Sequence, residues 1–463
     1  MKFFVRDKQF YRDSMAIIIP VALQSLITIG VNMLDTIMVG SLGEIPLSAA
    51  SLSNQFILIF FICCMGIGMG ANVLTARYWG MKDLFSLKKA VTIMLRFVLV
   101  FASVFSIVTL VAKGGILRIY TSEIPVIAEG MRYLKWLTVV YFFQGLSVTC
   151  TIVLRSVGQV KVPLIGSIFS FFVNLIANYA FIFGKLGMPR MEIEGAALGT
   201  LIARIFEFLF ICGYFFIADE KIHYRVKDLF RKTGDLIREY FRISVPVLVS
   251  DALLGLGVSA VAMVLGHLGS GFVSAYAITS VTQQLTTVVL GGMSNAGAVL
   301  IGRTLGEGRK DQAMKQGYTF VFMAAVFGVF AGLLILLISG PIIGCYNITE
   351  ETRGIAYSLM RAIAIIVIFM SVSNLLTKGV LRGGGDTKFL MVADIIFLWA
   401  VSIPLGALAA FVWHLPGFWI YFLLRIDHII KAIWCTFRLY GGKWIKKVER
   451  SKLSEAYAEE AYG

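Results

Sequence analysis

Charge is what this chain has least of. Asp, Glu, Lys and Arg together make up 15% of its 463 residues, against about 25% in soluble domains. A water-facing surface cannot be built from so few charges, so an ordinary soluble fold is excluded. Histidine is nearly missing: His223, His267, His414 and His428 are scattered, with no HExxH run, and no DDxxD cluster occurs. Without clustered acids, a metal site or a nucleophile beside a base, a polytopic membrane enzyme has little to work with. The six cysteines (Cys63, Cys64, Cys150, Cys212, Cys345, Cys435) lie mostly inside apolar runs without paired spacing, which argues against a disulfide framework or a CxxC metal site. No GxxxxGK[ST] run is present, so no ATP site is expected, and no filter-like loop marks a channel.

Apolar residues fill the space instead, at 58% of the chain with a mean hydropathy of +0.83. Runs of roughly 20 apolar residues, the length that crosses a ~30 Å hydrocarbon core, are expected near 14–38, 48–73, 91–112, 131–153, 163–184 and 195–218. A second set is expected near 240–266, 274–300, 317–339, 356–380, 389–411 and 417–437. The fold class is therefore an all-α polytopic membrane protein of about twelve transmembrane helices. The first run is too long for a signal-peptide core and lacks a cleavage pattern, so it is expected to stay as the first helix.

The formal net charge of +15 sits in short connectors between apolar runs rather than on one face, so it reads as topology and not as a nucleic-acid footprint. Connectors on one side carry Arg77, Lys82, Lys88, Lys89, Arg155, Lys161, the run from Lys221 to Arg242, Arg303 to Lys315, Arg382 and Lys388. The other side has Lys113, Arg118, Arg132, Lys135, Lys185, Arg190 and Arg353. By the positive-inside rule both termini are expected in the cytoplasm of a cell whose inner membrane holds the chain.

The chain repeats itself. At a shift of 226 residues Pro20 meets Pro246, Gly40 meets Gly266, Gly43 meets Gly269, Gly66 meets Gly292, Arg77 meets Arg303 and Gly80 meets Gly306. At 227, Val153, Leu154, Arg155, Gly158 and Lys161 meet Val380, Leu381, Arg382, Gly385 and Lys388. The expected division is a six-helix lobe over 1–220, a cytoplasmic linker over 221–239, a second six-helix lobe over 240–440 and a tail over 441–463. Six helices per half keep the halves parallel, the repeat type of transporters that rock about a central cavity. Gly66 and Gly70, and Gly292 with Ala296, have the small-xxx-small spacing of close helix packing.

An ionisable residue inside a transmembrane helix is costly and therefore a functional candidate. Asp35 is the first, about 4 residues or ~6 Å from the outer end of its window. Asn178, Asn174 one turn deeper, and Thr200 fall in the same depth zone. A carboxylate with amide and hydroxyl oxygens suits a small cation such as Na+, and the same carboxylate could carry a proton. The alternatives open at this point are an interface-solvated Asp35, amides serving as interhelical glue, and a threonine bonded to its own backbone. Asp251, and Tyr179 among the aromatics of the fifth window, are weaker candidates for lining a substrate cavity. Asp394 is expected to pair near Lys378 and Arg382, and Arg204 with Glu207. At the repeat shift Asp35, Asn174 and Asn178 fall on Val261, Val401 and Leu405, so this cluster belongs to the first half alone.

Several segments resemble the multidrug and toxic compound extrusion (MATE) family. They are IPVALQSLITIGVNMLDTIMVGSLG with Pro20 and Asp35, GIGMGANVLTARYWG and its counterpart GGMSNAGAVLIGRTLG, the connectors VLRSVGQVKVP and VLRGGGDTK, and RIDHIIKAIWCTFRLYGGKW. The resemblance covers nearly the whole chain. It implies a secondary antiporter that exports organic, often cationic or amphipathic small molecules in exchange for Na+ or H+, working as a monomer in the lipid bilayer without a cofactor. It also implies that Asp35, Asn174, Asn178 and Thr200 form the coupling-cation site. The family often has a second aspartate where this chain has Asn178, which leaves one formal negative charge. A lipid-linked precursor flippase of the same superfamily is the rival reading, favoured by extra helices and core arginines; Arg204 and Arg361 are the candidates for the latter.

Overall fold

Hydrocarbon offers no hydrogen-bond partner to the backbone, so a spanning segment must satisfy its own N–H and C=O groups, and helices do this. The computed structural model describes residues 4–346 and 348–448 and is helical almost throughout. In order the helices are α1 (Lys8–Gly40), α2 (Glu44–Gly80), α3 (Leu84–Tyr120), α4 (Ile124–Leu137), α5 (Val140–Ser156), α6 (Lys161–Phe183) and α7 (Ile193–Ala218). Then follow α8 (Gly234–Gly266), α9 (Ser270–Gly306), α10 (Lys310–Gly344), α11 (Glu350–Gly383), α12 (Thr387–Phe411), α13 (Gly417–Leu424) and α14 (Asp427–Tyr440).

Every expected apolar window falls on helix. Among the described residues ten helices are long and apolar enough to cross a membrane by themselves, and α4 with α5 makes an eleventh span bent by 54°. The twelfth window is broken into α13 and α14 at Arg425 and Ile426. The internal repeat extends to the helix ends. Lys8–Gly40 and Glu44–Gly80 recur as Gly234–Gly266 and Ser270–Gly306 at the same shift of 226.

By contact the chain forms two compact units: Met1–Ala22 with Asn72–Lys82 and Phe241–Glu449, and Leu23–Ala71 with Asp83–Tyr240. These boundaries cut across the division at 220–240 drawn from the repeat. The N-terminal part of α1 and the C-terminal end of α2 account for the difference, since Gly80 lies on the Arg303 backbone and Gly292 on the Ile18 carbonyl. Residues 449–463, most of the expected tail, lie outside the described residues.

In the second unit the stretch 219–240 is held against α3. The Asp219 carboxylate accepts the backbone N–H groups of Ile222 (2.9 Å) and His223 (3.2 Å), and Tyr224 is fully buried. Lys88 (3.4 Å) and Arg231 (2.6 Å) flank Asp228. Partial burial opposes ionisation there, but the Arg225 backbone N–H and these two cations hold the Asp228 carboxyl below its ordinary range.

In the first unit a glycine seam lets α10 approach α11. A Cβ at Gly332 would stand 2.5 Å from the Ala364 carbonyl oxygen, and one at Gly328 would stand 2.9 Å from the Ile368 backbone. Such seams replace the hydrophobic drive that lipid removes. Outward faces are apolar, with Val111 80% and Leu337 76% exposed. Gly332→Ala should lower the melting temperature in detergent, because overpacking costs about 1–3 kcal/mol and exceeds the ~1 kcal/mol gained in helix propensity. Gly291→Ala, where a Cβ meets nothing within 4 Å, should leave the melt unchanged or raise it; equal shifts for the two would remove the seam.

Candidate functional site

Within the second unit α1, α2, α4, α5, α6 and α7 surround a cavity of about 750 Å³. Its wall is mixed. Ile27, Ile57 and Phe61 supply apolar surface, and Asp35, Asn54 and Thr200 supply polar groups.

Asp35 lies near the C-terminal end of α1, half-buried on the cavity wall. The Asn178 amide Nδ2 donates to Asp35 Oδ1 at 2.5 Å and to Asn174 Oδ1 at 3.3 Å. Asn174 and Asn178 are one turn apart on α6 and buried at 5% and 1% exposure. Asn178 can approach because α7 carries Gly199 opposite it, where a Cβ would collide with the Asn178 amide oxygen. That oxygen, Oδ1, has no hydrogen-bond partner. Thr200, the next residue on α7, lines the cavity. The four residues singled out from sequence are thus brought to one place, three of them on the cavity wall and Asn178 behind it.

Sequence reasoning missed several neighbours. Tyr133 on α4, buried and on the wall, donates its hydroxyl to Asn54 Oδ1 at 3.4 Å. Deeper in the cavity, Arg155 donates through Nη2 to the side-chain oxygen of Gln24, and Gln24 donates to Ser167 Oγ at 2.7 Å. Arg204 and Glu207, also on the wall, pair at 2.6 Å as expected for residues three apart on a helix. Arg155 stood at the edge of an apolar window, where a cation reads as a connector charge. The resemblance of Arg155 to Arg382 in the repeat was the available signal.

The remaining candidates lie elsewhere. Tyr179 is 47% exposed, packs against Phe183, and is not among the cavity-lining residues. Asp251 belongs to the first unit, where Arg382 grips it with two bonds of 2.9 and 3.2 Å. Asp394 pairs with Lys431 at 3.2 Å and accepts from Ser250 at 2.5 Å, rather than pairing with Lys378 or Arg382. Lys431 also meets Asp427 at 2.8 Å. The helices beside these charges widen to i→i+5 bonding at Leu375–Val380 and Ile395–Ser402, a deviation frequent at functional positions.

Known proteins resemble this chain along most of its length. The family model described as MatE matches residues 20–180 and 246–408, the two copies of the repeat. A Thermotoga maritima protein described as a probable multidrug resistance protein NorM is 26% identical over 428 residues, spanning 90% of this chain and 89% of its own. A Bacillus subtilis protein described as the uncharacterized transporter YisQ is 24% identical over 427 residues, 89% of this chain and 90% of its own. Among solved structures, a Vibrio cholerae MATE transporter superposes with a TM-score of 0.86 at 16% identity, over 95% of this chain and 98% of its own.

The close fit of Gly199 against Asn178 can be measured. Gly199→Ala should destabilise the protein by roughly 1–3 kcal/mol, and the penalty should largely vanish in an Asn178→Ala background. A double-mutant cycle of thermal melts checks this, since residues in contact are non-additive. Additive losses would mean that Gly199 does not make room for the amide.

Proposed function

Because this chain belongs to the MatE family, we propose that it is a secondary antiporter that exports organic, cationic or amphipathic compounds while Na+ or H+ enters at Asp35. The family consists of transporters rather than enzymes, and the chain is a multi-pass membrane protein. The observation that carries the finer reading is a single one. A carboxylate held by a buried amide pair opens onto a 750 Å³ cavity of mixed polarity. That volume is in the range of sites that enclose a drug-sized molecule.

The residues present fit a small cation as cargo. Asp35 supplies charge, and Asn174 Oδ1 and the Thr200 hydroxyl supply neutral hard oxygens. Asn178 turns its N–H toward the carboxylate, which keeps Asn178 in a positioning role. With one formal charge, a proton serves the same site as well as Na+ does. Either ion makes Asp35 neutral in effect and so weakens its hold on a cationic substrate; exchange then follows from competition for one charge. The charge asymmetry of the connectors supports cytoplasmic termini in the inner membrane, and the enclosure of the cavity by helices of one unit supports a monomer.

Asp35→Asn keeps the side chain's size and removes its charge. The fold should survive, while cation-driven uptake of a fluorescent organic cation into proteoliposomes falls roughly tenfold or more, within the 5–150-fold range of typical coupling. Asn178→Ala should lose less, since it removes a neutral group. Uptake at the wild-type rate by Asp35→Asn under either a Na+ or a pH gradient would end the assignment.

A further inference from the structure

The repeat places the same arginine in two different settings. In the first unit Arg382 is 3% exposed and neutralised by Asp251 through two hydrogen bonds. Arg155 is its counterpart at a shift of 227, and the counterpart of Asp251 at 226 is Ser25. The neighbouring contact confirms the register. Gln24 bonds Ser167 in one half, and the residues at their repeat positions, Ser250 and Asp394, bond each other in the other half. Twice, then, a carboxylate of the second half is a serine in the first.

The consequence falls on Arg155. Among the described residues its single hydrogen-bond partner is the neutral Gln24. The other charges on the same wall are paired or distant. Glu207 is held by Arg204 at 2.6 Å. Asp35 lies eleven residues beyond Gln24 on α1, or about 16 Å at 1.5 Å per residue. A guanidinium within the membrane span, without a counter-charge, is expensive unless something from outside pairs with it. The cavity is where that something enters, since Arg155, Gln24 and Ser25 all line it.

We infer that Arg155 is an anion-recognition residue, and that the cavity accepts transported compounds carrying a carboxylate or similar anionic group, held at Arg155 where the second half has Asp251 built in. A cation that also bears a carboxylate is then held more tightly than the same cation without one. Gln24, oriented by Ser167, holds one edge of the guanidinium and leaves the rest of the fork for a planar carboxylate. The inference rests on the cavity being the substrate path.

The test uses the purified full chain in lipid nanodiscs and two dyes: rhodamine B, a xanthene cation that bears a carboxylate, and its ethyl ester, which keeps only the cation. Fluorescence anisotropy gives the two dissociation constants. Wild type should bind the acid roughly tenfold or more tighter than the ester, the worth of one charge-assisted hydrogen-bonded pair. Arg155→Gln should bring the ratio near one. Ser25→Asp should do the same by supplying the carboxylate internally, as Asp251 does for Arg382, and it decides the matter if Arg155→Gln fails to fold. A wild-type ratio near one, or a ratio that survives both substitutions, overturns the inference while efflux of the ester keeps the transport reading intact. Binding of neither dye overturns both.

Discussion

Every charge placed inside an apolar helix bundle needs a partner, and this constraint organises the molecule more than any packing detail. The backbone meets it by forming helices, which leaves side chains as the only polar groups to settle. In the first unit the carboxylates of the helices are settled internally: Asp251 with Arg382, and Asp394 and Asp427 with Lys431. In the second unit the charges are not all matched within the protein. Asp35 has an amide for company and Arg155 a neutral glutamine. Both unpaired groups line one cavity. A fold that pairs its buried carboxylates with cations in one half, and leaves Asp35 and Arg155 without a counter-charge in the other, draws attention to the cavity that those two line.

Duplication makes that contrast possible. Helix boundaries recur at a shift of 226, so the scaffold is the same in both halves. What differs is a handful of side chains: Asp35, Asn174 and Asn178 against Val261, Val401 and Leu405, and Ser25 and Ser167 against Asp251 and Asp394. One half lost or never had the outer acid, and the other lacks the inner ones. A buried ion pair contributes little net stability, whereas one lone member of it is strongly destabilising without a substitute. The pair therefore fits a structural role in one half, and the lone arginine fits a binding role in the other.

The apolar windows were legible because hydropathy reports the hydrocarbon-crossing stretch. Helix lengths were not, since α2 and α3 run 37 residues each and their polar overhangs look like connectors. The bend at 137–140 and the break at Arg425 were hidden inside apolar runs, where composition does not register backbone direction. At the site, Asp35, Asn174, Asn178 and Thr200 were legible because each is a polar interruption of an apolar run. Arg155 was not, because an arginine at a window's end has the same appearance whether it snorkels to water or turns into a cavity. Tyr133 and Asn54 escaped for the opposite reason, being ordinary residues whose importance comes only from facing Asp35's depth. Asp251, chosen as an isolated feature, has Arg382 as its partner, and Tyr179 is turned away from the cavity by an orientation that spacing along one helix does not encode.

Magnitudes constrain how the two unpaired charges can communicate. Taking the Asp35–Gln24 span along α1, about 16 Å, as the separation, and an effective dielectric between roughly 20 and 80, two unit charges interact by only about 0.3–1 kcal/mol. Allosteric coupling between sites is typically about 1–3 kcal/mol. Neutralising Asp35 therefore changes the field at Arg155 by less than coupling of that size requires. Mechanical linkage through α1 can supply more. Asp35 and Gln24 are eleven residues apart on α1, about three turns, and so lie on nearly the same face of one rigid helix. Any tilt or rotation of α1 that releases Asp35 from Asn178 also moves the glutamine that steadies Arg155. An ion arriving at Asp35 and an anionic group held at Arg155 would then act on each other through the position of that helix, with direct electrostatics as the smaller contribution.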